Sequence, residues 1–211
     1  MRKLIVSTFL SLDGVMQAPG GPEEDDEGRF AYGGWSVNYW DDLMGKVMGE
    51  ATSKPFAMVL GRKTYDIMAA YWPTAPEDAG GEVFNDAPKY VASRGRPTLE
   101  WSNSVLIEGD AADGLAALKA EDGPELQVHG SSNLIQTLLR HNLVDEYRLW
   151  VFPVVVGSGK RFVLGRGNSR RAEAPRQQGL HHRGRHRNLR AGGRDRHRIV
   201  LARQKTVQTC G

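Results

Sequence analysis

One cysteine, Cys210, stands second from the end of the 211-residue chain. That leaves no material for a disulfide framework or a cysteine metal cluster. Apolar runs are short as well: none approaches the roughly 20 residues needed to cross a bilayer. Met1-Arg2-Lys3 leads into an alternating apolar stretch instead of a signal-peptide core, so the expected location is the cytoplasm and no membrane partner is expected. The motifs GxxxxGK[ST] and GxGxxG are both missing, which disfavours P-loop hydrolysis and the common dinucleotide fingerprint. Nor can a Ser-His-Asp or Cys-His arrangement be argued from the order of residues.

Acidic residues are scarce in one place only. Residues 166–211 hold twelve arginines and Lys205 against Glu173 and Asp195, a net of +11, which leaves −8 on the rest out of a total of +3. An acidic body is joined to a basic end. With 40% apolar and 25% charged residues overall, the body is rich enough in core-forming side chains for one globular domain.

What is present in the body alternates between strand and helix signals. Lys3 to Leu12 is β-branched and apolar and stops at Asp13-Gly14. Gln17 to Gly34 is rich in Gly, Pro and acid and predicts a long surface loop, with Glu23 to Glu27 as a solvated face. Tyr39 to Thr52 predicts a helix with Trp40, Leu43, Met44, Val47 and Met48 inward and Asp41 and Asp42 at its N-terminal end. Further strands are expected at 57–60, 89–92, 105–107, 126–129 and 147–156, with helices after Gly61, near 111–120 and after Ser132. Pro153 within the last strand suggests a bulge or an edge position. This alternation gives an α/β layered fold with functional turns at the carboxyl ends of the strands.

Three of those turns carry small or cationic residues: Gly61-Arg62-Lys63-Thr64, Ser93-Arg94 and Gly130-Ser131-Ser132. Glycine lets a backbone approach closely, helix N-termini offer free N–H groups, and arginine pairs with phosphate oxygens. Singly, each turn reads more readily as structural; three at matching places reverse that and suit a ligand with several phosphates. Asp13, at the end of the first strand, is the best-placed carboxylate for a proton or hydrogen-bond role, and equally an ordinary Asp-Gly turn. His129 and His141 fit structural positions better than metal ligation, and no metal site is expected in the body.

Ser11-Leu12-Asp13-Gly14, Gly61-Arg62-Lys63-Thr64-Tyr65, Trp72-Pro73 and the block Leu143 to Arg161 resemble the dihydrofolate-reductase-like family, in the branch of the riboflavin-biosynthesis reductase (RibD C-terminal) domain. The resemblance covers nearly all of residues 1–161. It implies a three-layer fold on a mixed, mostly parallel sheet and an NADPH-dependent oxidoreductase. The Gly61–Thr64 turn and Ser93-Arg94 would hold the adenosine phosphate end of the cofactor, and Gly130–Ser132 its pyrophosphate. Asp13, Trp35, Pro153 and Gly157-Ser158-Gly159 would line the substrate side, with Asp13 as the catalytic candidate. The substrate would be a pteridine- or pyrimidine-like heterocycle, a phosphoribosylamino-uracil among them, or a carbonyl compound; relatives with this fold often pair as homodimers. The third turn departs from the family pattern, being Gly-Ser-Ser where many relatives have Gly-Gly.

Past Arg161 the family pattern ends, and an irregular tail, 162–211, is expected. An arm that binds nucleic acid is one reading of its charge, and a metal site built from His181, His182, His186 and His197 is another. A third comes from the genetic code. Arginine is mostly CGN, histidine CAY and glycine GGN; read from the second base of each codon, His181 to Leu201 can become TTGVVTGIYEPAGEIDTGSFS. That peptide is a β-branched strand, a Pro-Gly turn and the start of another strand, which resembles how this family ends. The preferred expectation is a one-base frameshift near Arg161 to Gly165, with the tail out of frame and the function carried by residues 1–161.

Overall fold

The computed structural model describes residues 1–76, 79–162, 187–191 and 194–201, the last two segments as backbone alone. Eight strands form one sheet: β1 (Leu4–Leu10), β2 (Phe56–Gly61), β3 (Lys89–Ala92), β4 (Ser104–Ile107), β5 (Glu125–His129), β6 (Glu146–Val151), β7 (Arg187–Ala191) and β8 (Arg194–Leu201). Their order is β4-β3-β2-β5-β1-β6-β8-β7. Every neighbouring pair is parallel except β7 and β8, so the sheet is mixed and mostly parallel, as the resemblance implies.

Among the described residues five α-helices flank the sheet: α1 (Asp42–Thr52), α2 (Arg62–Tyr71), α3 (Glu82–Asp86), α4 (Ala111–Ala120) and α5 (Ser132–Arg140). The Asp41 side chain accepts from the Met44 N–H at 2.8 Å and starts α1. Asp110 does the same for α4, accepting from Ala112 at 2.8 Å and Asp113 at 3.2 Å. Each caps N–H groups that have no partner inside the helix.

Side chains on β2 show why helices flank both faces. Ala57 and Val59 join Leu126, Val128, Leu115, Ile135 and Leu138 in the core beneath α4 and α5. Phe56, Met58 and Leu60 point the other way, into the core with Tyr65 of α2 and Phe84 of α3. A third cluster sets Met44 and Val47 of α1 against Trp150 and Phe152. The result is a three-layer α/β domain.

Four local expectations change. Trp40 and Leu43, expected in the core stripe of the first helix, are exposed; Trp40 lies before the helix begins and its ring stands edge-on to Phe9. Pro153 marks neither a bulge nor an edge, because β6 lies between β1 and β8 and ends at Val151, two residues earlier. The run Glu23 to Glu27 is not a uniformly solvated face, since Asp25 is buried. The tail expected to be irregular contributes β7 and β8: Tyr147 to Val151 pair with residues 197–201, where Ile199, Val200 and Leu201 supply an apolar run. Residues 163–186, His181, His182 and His186 among them, lie outside the described residues.

Candidate functional site

Because β3, β2, β5, β1 and β6 are adjacent and parallel, the turns that leave them share one edge of the sheet. In that order the edge carries Ser93-Arg94, Gly61 to Thr64, Gly130 to Ser132, Asp13, and Pro153 with Gly157-Ser158-Gly159. All the residues singled out from the sequence therefore lie along this edge, apart from Trp35 in the loop above it.

Two of the turns touch. The Gly61 N–H donates to Oγ of Ser131 at 2.8 Å, and a Cβ placed on Gly61 would stand 3.4 Å from that side chain. Gly130 faces the Thr64 side chain at a similar distance, 3.5 Å from a built Cβ. The contact brings the first turns of α2 and α5 side by side. Neither helix has a side-chain cap: Gly61 has none to offer, and the Ser131 hydroxyl is spent on Gly61 and on the His129 carbonyl. Two helix N-termini with unclaimed N–H groups and the positive ends of their dipoles thus converge. Arg94 is exposed beside them, while Arg62 is turned back onto Asp66 of its own helix at 2.7 Å. A groove of about 550 Å³ starts at Arg62 and follows α2 to Pro73, with Tyr65 and Trp101 in its lining.

On the other half of the edge, Asp13 acts as an anchor. Its carboxylate accepts from the Ser11 hydroxyl at 2.7 Å and from the Val156 and Gly157 N–H groups at 3.0 and 2.9 Å, and pairs with Arg161 at 3.3 Å. Arg161 also donates to the Asp13 carbonyl. The Ser11 hydroxyl first, and then the Val156 N–H, hold the carboxyl well below the usual carboxylate range. An acid so fully ionised has no proton to give at ordinary pH; what it supplies is a fixed link between the exits of β1 and β6. The sequence offered Asp13 for either a proton or a hydrogen-bond role; here the carboxylate accepts three hydrogen bonds and pairs with Arg161.

Gly159 packs where no side chain fits: a Cβ there would lie 2.7 Å from the Phe30 ring, at φ 114°. Phe30 belongs to the long loop, which is pinned at its base by Trp35, whose indole N–H donates to the Gln17 carbonyl at 2.8 Å while its ring stands edge-on to Phe152. Sequence reasoning missed what holds the middle of this loop. Lys63 and Lys160 both reach Asp25 and Glu27, at 2.6 to 3.0 Å. Asp13–Arg161 escaped it too, since a partner 148 residues away leaves no local signal.

One half-buried base also faces this edge. His129 ends β5 against Phe56 and Phe84, its Nε2 without a hydrogen-bond partner, and burial first and the Arg148 charge second push its pKa down to about 4. Among the described residues no group of three His, Cys, Asp or Glu stands close enough to hold a metal ion, and no helix is long and apolar enough to cross a membrane.

Known proteins are similar to this chain in sequence or fold. The uncharacterized proteins YyaP and YwjB of Bacillus subtilis (strain 168) are 26% and 24% identical to it over 163 residues, 75% of this chain and 79% and 80% of theirs. A solved structure from Shewanella sp. PV-4, of a protein provisionally assigned to riboflavin biosynthesis, superposes with a TM-score of 0.54 over 82% of this chain and 92% of that one, at 20% identity, a likeness of fold. The sequence profile of the RibD C-terminal domain matches residues 2–190, and the chain belongs to that reductase-like family.

Proposed function

We propose that this protein is an NADPH-dependent reductase that transfers hydride to a small heterocycle of pteridine or pyrimidine type, or to a small carbonyl compound. One observation carries the reading: the Gly61–Ser131 contact sets two uncapped helix N-termini together at the carboxyl edge of the sheet. A pyrophosphate is the ligand whose charge and span suit such a pair. Gly130, Ser131 and Ser132 would take the pyrophosphate, and Gly61 to Thr64 with Ser93 and Arg94 the adenosine phosphate end. The groove that starts at Arg62 offers that end a place to lie.

The bound dihydronicotinamide supplies the hydride. The chain's own part is to orient and to exclude water. Asp13 ties the β1 exit to Val156 and Gly157 and so positions the Pro153 to Gly159 segment as one wall of the substrate side. Trp35 closes the other wall against Phe152. Within this reading the Arg/His-rich tail is an out-of-frame end, not a nucleic-acid arm.

Thermal unfolding with NADPH and with NADH tests the cofactor. Saturating NADPH is expected to raise Tm by several degrees and NADH by less; no rise with either sinks the proposal.

A further inference from the structure

The acid-rich loop between residues 17 and 34 is held by two separate devices. One is independent of charge: the Gln17 side chain donates to the Asp25 and Glu27 carbonyls at 3.1 and 2.9 Å and accepts from the Lys160 N–H at 3.0 Å. The other is a closed ring of four charges. Asp25 lies 2.6 Å from Lys63 and 2.7 Å from Lys160; Glu27 lies 3.0 Å from Lys63 and 2.6 Å from Lys160. Lys160 sits in the β6 exit loop. Lys63 is the second residue of α2, on the helix end that adjoins the Gly61–Ser131 contact.

The ring therefore spends on two carboxylates the ammonium that the α2 N-terminus would otherwise offer to an anion. Phosphate and carboxylate present the same kind of oxygen to lysine. A phosphate arriving beside an intact ring would put a third anion next to Asp25 and Glu27, and like charges at such distances repel.

We infer that the loop is an electrostatic strap whose Asp25 and Glu27 carboxylates compete with an incoming phosphate group for Lys63, so that a phosphate-bearing ligand at the α2 N-terminus draws Lys63 away and slackens the strap. Lys160 and the Gln17 clamp keep the loop attached when this happens. The inference rests on the nucleotide reading above only for the identity of the ligand. It assigns to the acidic run a role in setting how tightly, and with what salt dependence, an anion binds.

The test uses the full chain with inorganic pyrophosphate as the probe. Asp25→Asn/Glu27→Gln is expected to bind pyrophosphate roughly fivefold more tightly than the wild type, from the worth of partly exposed ion pairs. Adding Lys63→Met abolishes the gain, and pyrophosphate accelerates amide exchange within residues 20–30 of the wild type. Glu27→Gln alone gives part of the gain; its carboxylate is 60% exposed, so it carries the comparison if the double variant does not fold. Equal affinity in wild type and folded variant, exchange that pyrophosphate leaves unchanged, or no pyrophosphate binding to any of them overturns the strap. If NADPH fails to bind while the pyrophosphate gain stands, the cofactor reading falls and the strap remains. If NADPH binds and neutralising the acids changes nothing, the reverse holds.

Discussion

The Ser131 hydroxyl accepts the Gly61 N–H at 2.8 Å from a residue whose own backbone is left-handed, at φ 64°. The position thus combines a cost with a gain: a side chain in the left-handed region costs about 1 kcal/mol, and a part-buried hydrogen bond contributes a similar amount. Ser131→Ala keeps the cost and loses the bond, so it is expected to destabilise the fold by about 1 kcal/mol. Ser131→Gly loses the bond but removes the strain, and should unfold within about 0.5 kcal/mol of the wild type. Urea unfolding of the three proteins checks the order; Ser131→Ala matching Ser131→Gly would mean that the strain is not felt.

Asp13 has a folded pKa held below its ordinary value of 3.8 by Ser11 and the Val156 N–H. A depressed carboxylate stabilises the fold above its unfolded pKa, and that contribution disappears as pH falls through the folded one. The stability gap between wild type and Asp13→Asn should therefore be constant from pH 5 upward and close only in strong acid. If Asp13 anchors the substrate side, the variant raises KM more than it lowers kcat, and no ionisation of Asp13 appears in the pH–rate profile. A limb near pH 4 to 6 that Asp13→Asn removes would instead restore it as a proton-transfer group.

Most of this edge was legible because its signals are local. A strand that ends in Gly-Arg-Lys-Thr or Gly-Ser-Ser announces its own turn, and parallel strands must bring such turns to one side. The strap was not legible, since its ring joins Asp25 and Glu27 to lysines far along the chain and composition alone reads an acidic run as solvated. Lys89 was opaque for another reason, since a lysine in a strand is ordinarily read as solvated. It reads as an ordinary strand residue, yet it is wholly buried, with its ammonium on the Asn85 and Ala87 carbonyls and 4.3 Å from the Trp101 ring centre.

His129 makes acid stability a reporter of its burial. With a folded pKa pushed down to about 4 from 6.5, it stays neutral while the unfolded chain binds a proton, so stability falls as pH drops through that window. The full effect is about 3 kcal/mol, reached near pH 4. His129→Leu removes the titrating group, and its stability should change less between pH 7 and pH 4 than that of the wild type, read by urea unfolding at each pH. Parallel profiles would place the imidazole in contact with water.

The tail offers a different kind of test. β8 pairs along β6, but its first five residues, Arg194 to Arg198, are all charged or histidine, whereas strands in the interior of a sheet ordinarily supply apolar side chains to a face. The peptide encoded one base later would place β-branched residues and a Pro-Gly turn over the same span, and a hairpin of that composition covers a sheet face more effectively than an arginine-rich one. A chain recoded in that frame from Arg161 onward should unfold at a Tm higher by several degrees or more, with a larger urea m-value, because more apolar surface is buried on folding. Sequencing the gene across codons 158–168 supplies the companion observation. If the recoded chain melts at or below the temperature of the original, the Arg/His-rich end is the one this sheet was built to accept.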